Sequence, residues 1–153
     1  MRIAFDSNIL IYLAGGCGPQ DEVKVETARA MYSSLLLHDY ELIAPVQVLG
    51  EAFRALSGKF HFPGELVIAT LAEWENSFEI APTTVTVMRE AVRLAVDHRL
   101  QIWDSVILAA ASEAECLLLC SEDMQNGFVW RGLTIVNPFA DPLHPLLASL
   151  LDA

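Results

Sequence analysis

The sequence predicts an α/β fold in which a parallel sheet is covered by helices on both faces. Short runs of strand length alternate with longer segments of helical period. The short runs are apolar along their length, as strands buried on both faces are. No repeat, low-complexity tract or linker divides the 153 residues, a length that suits one domain spanning 1–153.

Each element has its own signal. "IAF" (3–5) reads as the first strand, followed by a helix over 7–14. Gly15, Gly16, Gly18 and Pro19 mark a loop. Helical spacing of Val25, Ala28, Tyr32 and Leu35–Leu36 predicts a helix over 21–38. "ELIAP" (41–45) is a short strand stopped by proline. Helices follow over 46–57 and 64–76, separated by Gly58 and Pro63. "FEIAP" (78–82) is the third strand. Helices over 84–98 and 104–114 lead to "CLLLC" (116–120), and "LTIVNP" (133–138) is the fifth and last strand. The tail over 139–153 is broken by prolines and then apolar, so it is expected to dock on the core or on a second subunit.

Composition narrows the class. A hydrophobic share of 54% argues against disorder. It fits either a large core or an apolar face covered by a partner chain. The formal charge of −11, from 20 acidic and 9 basic residues, disfavours non-specific nucleic-acid binding and attracts cations or basic partner segments. Three cysteines, with no C-x-x-C, indicate neither a disulfide framework nor a zinc site. Cys116 and Cys120 are expected to share one face of a strand as packing residues in a reducing, cytoplasmic setting. No signal peptide is expected, because Asp6 interrupts the early apolar stretch. No uncharged apolar run approaches the roughly 18 residues of a membrane helix.

In open α/β sheets, ligands bind beyond the carboxyl ends of the strands, where the strand order reverses. Asp6 follows strand one and Asp123 lies in "SED" after strand four. Asp104 opens "DSVILAAASEA", and Glu51 lies in "PVQVLGEAFRAL". Each has an ordinary explanation alone. Asp6 and Asp104 are good helix caps, and Asp123 suits a turn. Helical spacing puts Leu49, Phe53 and Leu56 on one face and Glu51 with Gln47 and Arg54 on the other, a solvated one. Together, four carboxylates near strand and helix ends suggest an oxygen-only cluster for Mg²⁺ or Mn²⁺. Close carboxylates repel unless cations neutralise them. Paired divalent ions can activate water and stabilise the leaving oxygen of a phosphodiester.

From "FDSNILIY" through "GEAFRAL" and "WDSVILAAA" to "LLLCSEDMQNG" and "TIVNPF", the sequence resembles PIN-domain ribonucleases, specifically VapC-type toxins of toxin–antitoxin pairs. The resemblance implies an α/β/α sandwich whose five parallel strands have the order 3-2-1-4-5. It carries the family's acidic quartet onto Asp6, Glu51, Asp104 and Asp123, with Asn8 and Ser121 orienting ligands or waters. Local turn and cap bonding is the other role open to Asn8 and Ser121. The implied activity is Mg²⁺- or Mn²⁺-dependent hydrolysis of RNA, leaving 5′-phosphate and 3′-hydroxyl ends. The implied partners are RNA, a cognate antitoxin and a second copy of the chain, with no membrane. Arg54, Lys59, Arg89, Arg93, Arg99 and Arg131 are candidates for a basic rim; as surface charges they need no such role.

Two other classes compete. A phosphoacceptor module also gathers acids at strand ends, but Lys24 and Lys59 are the only lysines and neither lies late in the chain. A catalytically degenerate PIN scaffold would bind protein or RNA without cutting.

Overall fold

Four parallel pairings build the sheet. In the computed structural model, which describes residues 1–152, strand β1 (Arg2–Phe5) pairs on one side with β2 (Glu41–Pro45) and on the other with β4 (Leu118–Cys120). β3 (Glu79–Ala81) lies outside β2, and β6 (Leu133–Val136) outside β4. The parallel order 3-2-1-4 continued by the "LTIV" strand is therefore as expected. One strand was missing from the sequence reading. β5 (Val129–Trp130) pairs antiparallel with β6, giving the order β3-β2-β1-β4-β6-β5. Arg131 and Gly132, both at positive φ, form the two-residue hairpin turn between them. A two-residue strand, part exposed, carries too little pattern to be seen in sequence.

Helices fill the connections. α1 (Ser7–Leu13) and α2 (Glu22–Leu37) lead from β1 to β2; α3 (Val46–Arg54) and α4 (Gly64–Ser77) lead from β2 to β3. α5 (Val85–His98) and α6 (Ile102–Glu113) return the chain to β4. Because strand order reverses at β1, right-handed crossovers place these two groups of helices on opposite faces. The tail ends in α7 (Pro145–Leu151), which packs on α2 and buries Leu147. Of the two expected settings for the tail, docking on the core is realised as far as Leu151; the final residue, 153, lies outside the described range.

Several boundaries and faces differ from expectation. α6 begins at Ile102, with Gln101 rather than Asp104 at its cap. The Gln101 carbonyl accepts from both the amide and the hydroxyl of Ser105, opening the helix three residues before Asp104, which lies within the first turn. α3 buries Val48 and Ala52, while Phe53 is exposed. On α2, Leu36 is exposed and Met31 takes its place in the core. Cys116 lies just before β4 rather than in it. It and Cys120 are both buried, and burial pushes both thiols up to about 12, as inert packing residues require.

After α3 the chain widens into a π-turn, Ala55–Lys59, where the Phe60 amide donates to the Ala55 carbonyl. Its Leu56 is fully buried and touches the loop after α1. α1 ends in a Schellman motif: Gly15, at φ +87°, donates to Tyr12, and Gly16 donates to Ile11. A Cβ on Gly16 would lie 2.8 Å from Ile11 Cγ2 and 2.9 Å from Leu56 Cδ2. A Cβ on Gly18 would meet only Asp21 Oδ2, at 3.5 Å. Gly16→Ala is expected to cost about 1–3 kcal/mol through overpacking, lowering the thermal midpoint by several degrees. Gly18→Ala is expected to be near neutral, and equal midpoints for the two variants would refute the contact.

Candidate active site

The site starts from a strand register. Phe5 is paired with Cys120, so the next residues, Asp6 and Ser121, emerge side by side at the carboxyl ends of β1 and β4. The Asp6 amide donates to the Cys120 carbonyl at 2.9 Å, continuing the ladder by one bond. Ser121 Oγ then donates to Asp6 Oδ2 at 2.6 Å. On the other side, Asp6 Oδ1 accepts from the Ser7 amide at 2.6 Å as the N-cap of α1. Asp6 is only 4% exposed.

Two further side chains tie the remaining carboxylates to this centre. Ser7 Oγ donates to Glu51 Oε2 at 2.8 Å, and Gln47 Nε2 reaches Glu51 Oε1 at 3.3 Å. Asn8 Nδ2 lies 3.2 Å from both Asp6 Oδ2 and Asp123 Oδ2, and Asn8 Oδ1 accepts from the Glu122 amide. Asp104 projects from the first turn of α6, half-buried. Asp6, Glu51, Asp104 and Asp123 all line one open cleft of about 620 Å³. All four predicted carboxylates are thus brought together, and Asn8 and Ser121 touch them. Glu51 does not face solvent with a bare helix surface, as its spacing suggested; it faces this cleft. Ser121 also makes the local turn bond expected of it, since its Oγ accepts from the Met124 amide at 3.2 Å.

The carboxylates feel one another. Burial holds the Asp6 carboxyl up at about 6, against the hydrogen bonds from Ser121 and the Ser7 amide, and Glu51 and Asp104 push it further in that direction. Asp104 is also raised, first by burial and then by Glu51 and Asp123. A cation among these carboxylates would favour their charged forms and oppose both shifts. Four carboxylates with hydroxyl and amide neighbours form an all-oxygen donor set of the kind that suits Mg²⁺ or Mn²⁺. Among the described residues, no three His, Cys, Asp or Glu side chains stand arranged to clasp an ion unaided. Mg²⁺ does not need such a cage, because it usually keeps several waters and takes one or two carboxylates. The donors therefore fit by chemistry.

Some residues of the site were not found by sequence reasoning. Ser7 bridges two carboxylates. Glu122, unremarked between Ser121 and Asp123, accepts from Tyr12 Oη at 2.7 Å and pairs with Lys24, which also pairs with Asp21 at 3.0 Å. These contacts clamp the 121–124 loop to α1 and α2. Trp103 and Gly58 also line the cleft. Of the six candidate rim cations, Arg54 and Lys59 line it, whereas Arg131 pairs with Glu90. A spacing signal existed for part of this: Arg54, Ala55 and Gly58 follow Glu51 at three, four and seven residues, one helical face.

An acidic cleft at the switch point of a parallel α/β/α sandwich defines the class. The sequence matches the PIN domain over residues 3–125, and the chain belongs to that family. Solved structures share the fold. The sarcin–ricin loop cleaving toxin VapC20 of Mycobacterium tuberculosis is 15% identical with a TM-score of 0.61, over 76% of this chain and 86% of that one. A toxin–antitoxin complex from Klebsiella pneumoniae gives 19% and 0.64, over 90% and 98%. VapBC2 from Rickettsia felis, bound to a DNA fragment from its promoter, gives 16% and 0.62, also over 90% and 98%. No curated protein matches significantly. No helix among the described residues is long and apolar enough to cross a membrane.

The raised Asp6 carboxyl has a consequence for stability. An unfolded aspartate titrates near 4, so between about 4 and 6 the folded chain holds the extra proton. Stability from this group is therefore greatest at low pH and falls as pH rises through that window. Asp6→Asn keeps the cap and removes the charge. In metal-free protein it is expected to stabilise the fold on the order of 2–3 kcal/mol above pH 7 and much less below pH 4. Thermal melts of both proteins across that range test this; a lower midpoint for the variant at neutral pH would refute it.

Proposed function

We propose that this chain is a Mg²⁺- or Mn²⁺-dependent endoribonuclease, the toxin of a toxin–antitoxin pair. The observation that carries the reading is the convergence of Asp6, Glu51, Asp104 and Asp123, from four separate segments, on one open cleft. The likeness in fold to a toxin that cleaves the sarcin–ricin loop agrees with it.

Asp6, Asp104 and Asp123 would hold the cation, which when bound supplies water activation and neutralises charge on the leaving oxygen. The protein's own contribution is position. Ser7, Ser121 and Asn8 fix both oxygens of Asp6. Glu51, bonded by Ser7 and Gln47, either joins the cation ligands or orients the attacking water. Arg54 and Lys59 attract phosphate into a chain whose net charge of −11 would otherwise repel it. Products with 5′-phosphate and 3′-hydroxyl ends follow from the same reading.

Its partners are a cognate antitoxin and a second copy of the chain, in the cytoplasm. The Klebsiella structure is a toxin–antitoxin complex, and the Rickettsia structure is VapBC2 bound to promoter DNA. For the antitoxin, α2 and α3 offer groove walls, exposing Val23, Leu36, Leu37, Val46 and Phe53. A phosphoacceptor role is disfavoured because the only lysines, Lys24 and Lys59, lie early in the chain and Asn8 rather than an aspartate stands two residues after Asp6.

Purified chain without its partner is expected to cut total RNA with Mg²⁺ and not with EDTA, which sequencing of new 5′ ends will detect. Asp6→Ala and Asp104→Ala are expected to lose roughly 100-fold or more in rate while keeping their circular dichroism. Wild-type rates in either variant would overturn the assignment, and metal or RNA binding with no cleavage would favour the degenerate scaffold.

A further inference from the structure

We propose that Trp103 is a stacking platform for an unpaired nucleobase beside the cleaved phosphodiester, with Arg54 and Lys59 gripping the backbone of the same strand. The proposal rests on the nuclease reading and adds the element that selects single-stranded substrate.

Trp103 directly precedes Asp104 in the first turn of α6 and lines the carboxylate cleft, 48% exposed. The other two tryptophans are used by the fold. Trp74 is buried at 7% exposure, and Trp130 packs on the core with Arg131 over its ring at 4.5 Å. Among the described residues, the Trp103 indole has no aromatic or cationic partner. An open indole face beside the carboxylates suits a flat, π-faced ligand.

The charge pattern of the cleft says what that ligand carries. Arg54 and Lys59 share the cleft with four carboxylates, yet neither forms an ion pair among the described residues. Arg2, Lys24 and Arg131 all do. Lys59 Nζ lies 5.2 Å from the Phe60 ring centroid, a contact that leaves its N–H donors open, so both cations are available to an external anion. Gly58 lies between them in sequence, in the π-turn, and a Cβ there would meet no atom within 4 Å, so the cleft is open at this point. An aromatic face, two free cations and an open passage are the parts of a single-strand binding groove. A duplex hides its base faces inside the stack and cannot use the indole.

The test uses the full chain carrying Asp123→Asn to block cutting, and a fluorescein-labelled ten-nucleotide RNA, single-stranded or annealed to its complement. Anisotropy should show Trp103→Ala raising Kd for the single strand roughly tenfold, Trp103→Phe retaining most of the affinity, and the duplex indifferent to both. Arg54→Gln and Lys59→Gln should each weaken binding and flatten its salt dependence. Binding should quench tryptophan emission in the parent and not in Trp103→Phe. In the uninhibited enzyme, Trp103→Ala should raise KM while kcat changes by less than about threefold. Equal Kd and KM in parent and Trp103→Ala, with cleavage intact, would overturn the stacking role and leave the nuclease reading standing. If the parent cuts no RNA, the nuclease reading fails; the binding arm then decides stacking alone, Trp103-dependent affinity supporting it and Trp103-independent affinity overturning it. A Trp103 that affects only capture of a partner protein likewise overturns it.

Discussion

 The parallel pairing of β1 with β4 is the constraint on which the site depends. Asp6 and Ser121 are 115 positions apart in sequence, and the β1–β4 register is what sets them side by side. Everything else at the site is attached to that pair. Asp6 caps α1, which presents Ser7 to Glu51 and Asn8 to Asp123. A slip of one residue in the register would turn Asp6 away from Ser121 and reverse the faces of both strands. The buried side chains of Ile3, Phe5, Leu119 and Cys120 oppose such a slip, because each is fully enclosed in the core.

The cleft carries an electrostatic cost that the rest of the fold offsets. Asp6 is buried among acidic neighbours, and its carboxyl is raised to about 6 by burial and by Glu51 and Asp104. Hydrogen bonds from Ser121 and the Ser7 amide offset part of this cost without removing the negative potential. A core of enclosed aliphatic side chains on both faces of the sheet supplies the stability that lets such a site persist.

The loop that bears Asp123 is held by contacts from outside the carboxylate cluster. Glu122 reaches Tyr12 on α1 and Lys24 on α2, while Ser121 turns the loop through the Met124 amide. Adjacent residues thus divide the work: Ser121 faces Asp6, Glu122 faces the helices, and Asp123 faces the cleft. This explains how an exposed carboxylate on a loop keeps a defined place beside a buried one.

By itself the sequence determined the α/β class, the parallel strands and the acidic residues at their ends, because apolar runs, helical spacing and a carboxylate beside a core segment are local signals. Strand "ELIAP" is found where it was read, and the α2 and α5 boundaries differ by one residue or so. Only the tertiary structure decided which way Glu51 faces, that α6 starts at Ile102 rather than Asp104, and that Val129–Trp130 forms an edge strand. It alone joined Ser7, Tyr12, Lys24 and Glu122 to the site and left Trp103 open in the cleft. The physical reason is range. Periodicity and capping act over a few residues, whereas these contacts join residues as much as 110 positions apart and exist only once the strands have paired.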